Sequence, residues 1–116
     1  MKLNLETLNE SGGFVGRPVA RQVTWRQGDD EYTADVWVRP LSYNSAVSDL
    51  LAVRDETDPV AGRIAASIVD EDGNPVFTVA DIIGTADPER GPLNSALTMA
   101  LLALISEVNG LGKKPS

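Results

Sequence analysis

The residue types that most often carry out chemistry are sparse in this chain. Its 116 residues contain no histidine and no cysteine. Imidazole-dependent triads, thiolate nucleophiles, and His- or Cys-based metal sites therefore have no ligands or bases to build on. Carboxylates remain. Asp29, Asp30, Glu31, Asp55, Glu56, Asp58, Asp87 and Glu89 all fall in expected loops or helix ends among other charges. An exposed carboxyl keeps its ordinary acidity, whereas a general acid working near neutral pH needs burial to raise its own. The most suggestive local constellation is Asp70-x-Asp72-x-Asn74, which imitates the opening of a calcium loop. Such a loop needs Gly at its sixth position and a bidentate Glu at its twelfth, and here those places hold Pro75 and Asp81. Gly73 comes two residues early, where it serves a turn. No catalytic, cofactor-binding or metal-ligating residue is assigned, and the reading is non-enzymatic.

Two glycine-rich runs, Gly12-Gly13-Phe14-Val15-Gly16 and Gly110-Leu111-Gly112-Lys113, lack the Gly-Lys-Ser/Thr ending of a phosphate loop. Arg17, Arg21 and Arg26 form a small basic group on the first strand and just before it, read as a solvated strand face. The balance of 17 acidic against 10 basic side chains gives a formal charge of -7, which argues against nucleic acid as a partner. No membrane partner is expected either. The longest uncharged stretch, 91–106, is short for a span and interrupted by Asn94, Ser95 and Thr98. Met1 to Glu6 shows no apolar run of the secretory kind, so a cytoplasmic location is expected.

The elements that must position whatever surface does the work follow from periodicity. Val19, Val23 and Trp25 share one parity, and Gln22, Thr24 and Arg26 the other. Tyr32, Ala34, Val36 and Val38 repeat the alternation after the polar turn 27–31, which predicts an antiparallel hairpin over about 18–39. Trp37 lies on the parity opposite to Val36 and Val38, so either a local helix covers it or it docks something else. Helical spacing of Ala46, Val47, Leu50 and Leu51 predicts a helix over about 44–55, stopped by Thr57-Asp58-Pro59. Ile64, Ala66 and Ile68 then alternate into the Asp70–Pro75 turn, which predicts a second hairpin over about 63–77. Thr78 and Asp81 have capping-box spacing for a short helix over about 79–84, ended by Gly84. The most helical stretch runs over about 93–109. Its apolar positions cover most of the circumference, which calls for burial nearly all round or for a shared interface with another chain, including a homo-oligomer. The expected fold class is α+β: two hairpins in a small antiparallel sheet, packed with three helices. One domain spans 1–109, and 110–116 is a flexible tail.

Three stretches, in this order and spacing, resemble the small tail assembly chaperones of long, non-contractile-tailed bacteriophages. They are Gly13-Phe14-Val15-Gly16-Arg17-Pro18-Val19 with Thr24-Trp25, then Val38-Arg39-Pro40-Leu41-Ser42-Tyr43, then Ile68 through Thr78 with Asp81-Ile82. The resemblance covers about Phe14 to Asn109. It implies a short, non-enzymatic α+β protein without cofactors that works in the cytoplasm of the infected host. It further implies binding to the tape measure protein, which is kept soluble, help in recruiting tail tube protein, and absence from the finished virion. Many such proteins also exist in a longer form made by ribosomal frameshift, and the codons of Gly112-Lys113-Lys114 suit a slippery heptamer. The competing class is a small structural tail or head–tail adaptor subunit that stays in the particle. Excess apolarity, rather than any family motif, nominates Met99, Leu102 and Ile105 on the outer side of the last helix as the partner contact. Trp37 and Tyr43 are the second choice.

Overall fold

The computed structural model describes residues 2–11, 13, 16–43, 46 and 58–110. Among these residues the architecture is α+β, with a three-stranded antiparallel sheet in the order β1-β2-β3 and four helices.

The first hairpin has the expected parity. Strands β1 (Val19–Gln27) and β2 (Asp30–Val38) pair from Val19↔Val38 to Gln27↔Asp30 across the two-residue turn Gly28-Asp29. Gly28 takes φ +62°, which the primed turns of tight hairpins require at this place. Directly opposed residues share a face, so Val19, Val23 and Trp25 lie with Val38, Ala34 and Tyr32. Trp25 and Tyr32 stack with ring centroids 5.7 Å apart. The other face is a polar ladder: Gln22 Nε2 donates to Asp35 Oδ1 at 3.4 Å, the Thr24 and Thr33 hydroxyls meet at 3.0 Å, and Arg26 lies 3.8 Å from Glu31.

The second hairpin is corrected. Residues 59–67, expected partly as loop and partly as strand, form helix α2 (Pro59–Ser67). Asp58-Pro59 starts this helix rather than stopping the previous one. The Asp58 carboxylate accepts the amides of Val60 at 2.9 Å and Ala61 at 3.1 Å, and Pro59 occupies a first-turn position whose missing N–H costs nothing. Ala61 and Ile64 are then buried three residues apart, with Ser67 three further on, which is a helical stripe. The return to the sheet is short. Strand β3 (Ile68–Val69) pairs with β2 through Val38↔Ile68 and Trp37↔Val69, and a single bridge, Val69↔Pro75, is what remains of a return strand. The turn between consumes the calcium-like residues, because Asp70 Oδ1 accepts the amides of Asp72 and Asn74, each at 2.9 Å.

Helix α3 (Val79–Ile83) carries the expected capping box. The Asp81 amide donates to Thr78 Oγ1 at 3.1 Å and the Thr78 amide to Asp81 Oδ2 at 2.8 Å. Helix α4 (Ser95–Val108) begins two residues later than the periodicity indicated, because Asn94 is its cap and accepts the Leu97 amide at 3.0 Å. Asn109 closes it and also accepts the Leu41 amide at 2.7 Å, tying the segment after β2 to the helix end. Helix α1 (Leu5–Ser11), which periodicity did not indicate, buries none of its residues. The helix expected over 44–55 and the tail 111–116 lie outside the described residues, except that Ala46 is helical.

The core joins the inner sheet face to α2 and α4 through Val23, Val36, Val38, Ile64, Leu101 and Ile105. Helix α4 packs mainly on β1 and only lightly on β2. That position leaves part of the long hairpin uncovered.

Candidate docking groove

The uncovered part of the hairpin is one wall of a groove. Strands nine residues long outreach the helix laid on them, so Val23, Trp25 and Ala34 face a hollow of about 290 Å³, closed on the other side by Phe77, Leu97 and Leu101. The lining is almost wholly apolar, and its ionisable members are Asp35 and Asp70. A second hollow, about 340 Å³, continues from it and shares Val76, Phe77 and Leu97. Its far side is the Arg90–Asn94 segment that leads into α4. The two hollows thus form one groove with an apolar floor. Val76 stands 52% exposed in the shared wall.

The charged groups of the second hollow are paired with each other. Arg90, its cation, is engaged: Nη2 donates to Asp81 Oδ1 at 2.9 Å. The Thr78 amide foremost, then the Arg90 guanidinium and the Thr78 hydroxyl, hold the Asp81 carboxyl below the usual Asp range. That direction is opposite to what a general acid would need. It also has a consequence for stability. A carboxyl whose acidity is increased by folding contributes fully above the unfolded-state value of about 3.9, and the contribution is lost as pH falls through the lower folded-state value. Asp81→Asn is therefore expected to flatten part of the fall in stability below about pH 4, measured by urea unfolding at stepped pH, and to leave the shape of the curve above about pH 6 unchanged.

The residues nominated from sequence are scattered by the fold. Met99 is 66% exposed on α4, Leu102 is half-buried against the core, and Ile105 is 2% exposed inside it. Ile105 is thereby removed from the outer side of the helix. Excess apolarity in α4 is used mainly to seal β1, with Leu101 and Ile105 at its centre. Tyr43 is 81% exposed and lines neither hollow. Trp37 is half-buried at the edge of the groove. On the outer sheet face, among the described residues, it is flanked by Arg17, Pro18, Glu71 and Asp72, which are loop and turn residues. Val76, Phe77 and Leu97 were not nominated. A local signal for the first two existed in the adjacent apolar pair following a turn with too little strand left to bury both.

The described residues thus form an α+β fold with an open, largely apolar groove. The family model described as phage tail assembly chaperone, TAC, matches residues 6–109, most of the chain, and the chain belongs to that family. No curated protein and no solved structure matches it.

Proposed function

We propose that this chaperone holds an apolar helical segment of the tape measure protein in the groove between the hairpin and α4. It keeps that client soluble in the cytoplasm of the infected host until tail tube subunits assemble around it, and it does not remain in the virion. The observation that carries this reading is the groove itself: an apolar floor at Trp25, Phe77 and Leu97, in a chain of net charge -7. Apolar helix faces dock in such grooves, and basic residues flanking the client helix would be drawn to a chain of net negative charge. The chaperone's own charge keeps the complex dispersed.

Co-expression with the tape measure protein tests it. Wild-type chaperone is expected to move the client into the soluble fraction and to co-purify with it. Leu97→Asp, at the half-buried wall shared by both hollows, is expected to remove most of that effect while the far-ultraviolet spectrum stays native. Client solubility unchanged by a folded Leu97→Asp would place binding elsewhere. Mass spectrometry of purified particles checks the second half, since a retained structural subunit would be present at stoichiometric amounts and a released chaperone absent.

A further inference from the structure

Among the described residues the outer edge of β1 is open. A two-residue hairpin turn makes its flanking pair, Gln27 and Asp30, exchange hydrogen bonds, and the alternation then assigns Trp25, Val23, Arg21 and Val19 to bonding with β2. The N–H and C=O groups of Ala20, Gln22, Thr24 and Arg26 consequently point away from the sheet. Among the described residues they find no backbone partner, and the only side-chain bond to them is from Arg21 Nη1 to the Ala20 carbonyl at 3.0 Å. All four residues are exposed. Natural proteins blunt an edge of this length with a proline, a bulge, a cover or charged and inward-pointing side chains. Strand β1 has neither proline nor bulge in its nine residues.

We propose that this edge accepts an extended, acidic segment of a partner protein as a fourth antiparallel strand. The site is separate from the groove. Two observations define the occupant. The first is charge: the ionisable side chains of β1 are Arg21 and Arg26, with Arg17 just before it, so the strand is locally positive in a chain of net charge -7. Arg26 has only a loose, exposed pairing with Glu31 at 3.8 Å, and Arg21 folds back on its own strand. Arg21 shares the inner face with Val23 and Trp25, where a charge on an edge strand repels apolar or basic strands and admits one bearing an acid opposite it. The second is steric. Helix α4 sits on β1, so a second copy pairing β1 to β1 would bring its own α4 onto the neighbouring strand about 4.8 Å away, whereas packed helices need roughly 8–10 Å. A lone strand carries no helix and meets no such clash. Main-chain bonds supply the affinity of strand addition, and the alternate side chains set its specificity. The fitting segment has acids opposite Arg26 and Arg21 and small apolar residues opposite Trp25 and Val23.

The test uses the full chain, labelled for amide hydrogen exchange by nuclear magnetic resonance, and two capped peptides. One alternates threonine and valine with glutamates opposite Arg26 and Arg21, and its twin carries lysines there. The glutamate peptide is expected to slow exchange at Ala20, Gln22, Thr24 and Arg26 while leaving Val23 and Trp25, already bonded to β2, unchanged. The double variant Arg21→Glu and Arg26→Glu is expected to weaken the glutamate peptide roughly tenfold and to favour the lysine twin. A glutamate peptide N-methylated along its bonding edge needs no protein variant and is expected not to bind. Equal binding of both peptides by the wild type would overturn the proposal. So would protection at Val76, Phe77 and Leu97 instead of the four edge amides, or protection of those four in peptide-free protein as its concentration rises. Peptide binding retained by Leu97→Asp separates the fate of this edge from that of the groove.

Discussion

Ile105→Asp is expected to unfold the domain at neutral pH. Ile105 is 2% exposed and sits in the core with Val23, Ile64 and Leu101. Removing a buried isoleucine costs about 2–5 kcal/mol when the cavity does not collapse. Leaving a carboxylate in its place without a cation adds several kcal/mol more. A domain of this size has roughly 5–15 kcal/mol in total, so the two costs together approach or exceed the whole. Far-ultraviolet circular dichroism should show loss of native structure, and Ile105→Ala should lower the unfolding free energy in urea by about 2–5 kcal/mol. Met99→Asp, on the same helix but 66% exposed, should shift it by no more than about 0.5 kcal/mol. A natively folded Ile105→Asp would mean that α4 presents this side chain to solvent. The contrast matters for function, because only α4 variants shown to stay folded distinguish lost binding from lost folding.

That contrast also shows what periodicity can and cannot reveal. Alternation in β1 and β2 was legible because one face is core and the other a polar ladder, so Val23 and Gln22 differ in kind as well as in parity. The cap at Thr78 is legible because its side chain acts within a few residues of itself. Helix α2 was not, since Ala65, Ala66 and Ser67 accept either period and Asp58-Pro59 has the same residues whether it ends one helix or begins the next. Helix α1 gave only a weak cap, Asn4 accepting the Thr7 amide at 2.9 Å, and no apolar stripe. The groove was out of reach for a different reason. Trp25, Phe77 and Leu97 come from three distant segments, and which part of the hairpin stays bare depends on where α4 lies across the sheet. The apolar surplus of α4 is legible in the sequence; Leu101 and Ile105 are buried against the sheet, and the helix's other apolar residues are half-buried or exposed.

Gly84→Ala is expected to cost roughly 3 kcal/mol, a large effect for adding one methyl group. Gly84 ends α3 at φ +93°, with its amide donating to the Ala80 carbonyl at 3.0 Å. A side chain in this left-handed conformation costs about 1–2 kcal/mol by itself. Here a Cβ would also stand 2.6 Å from the Pro92 nitrogen and 2.9 Å from the Gly91 carbonyl carbon, both backbone atoms. That backbone has little room to yield. The Leu93 amide donates to the Ile82 carbonyl at 3.0 Å, and Asn94 immediately afterwards caps α4. Gly91→Ala separates the two contributions, because Gly91 has φ +77° but open space where its Cβ would go. It should lose only the conformational part, about 1–2 kcal/mol. Urea unfolding of both variants measures the difference, and equal losses would mean that the Gly84 contact relaxes freely. Exchange of the Leu93 amide locates the damage: if the added methyl pushes the 91–92 backbone away, that amide loses protection in Gly84→Ala and keeps it in Gly91→Ala. Because the same segment forms the far side of the groove, the close approach at Gly84 couples the end of a five-residue helix to the wall against which a client would rest.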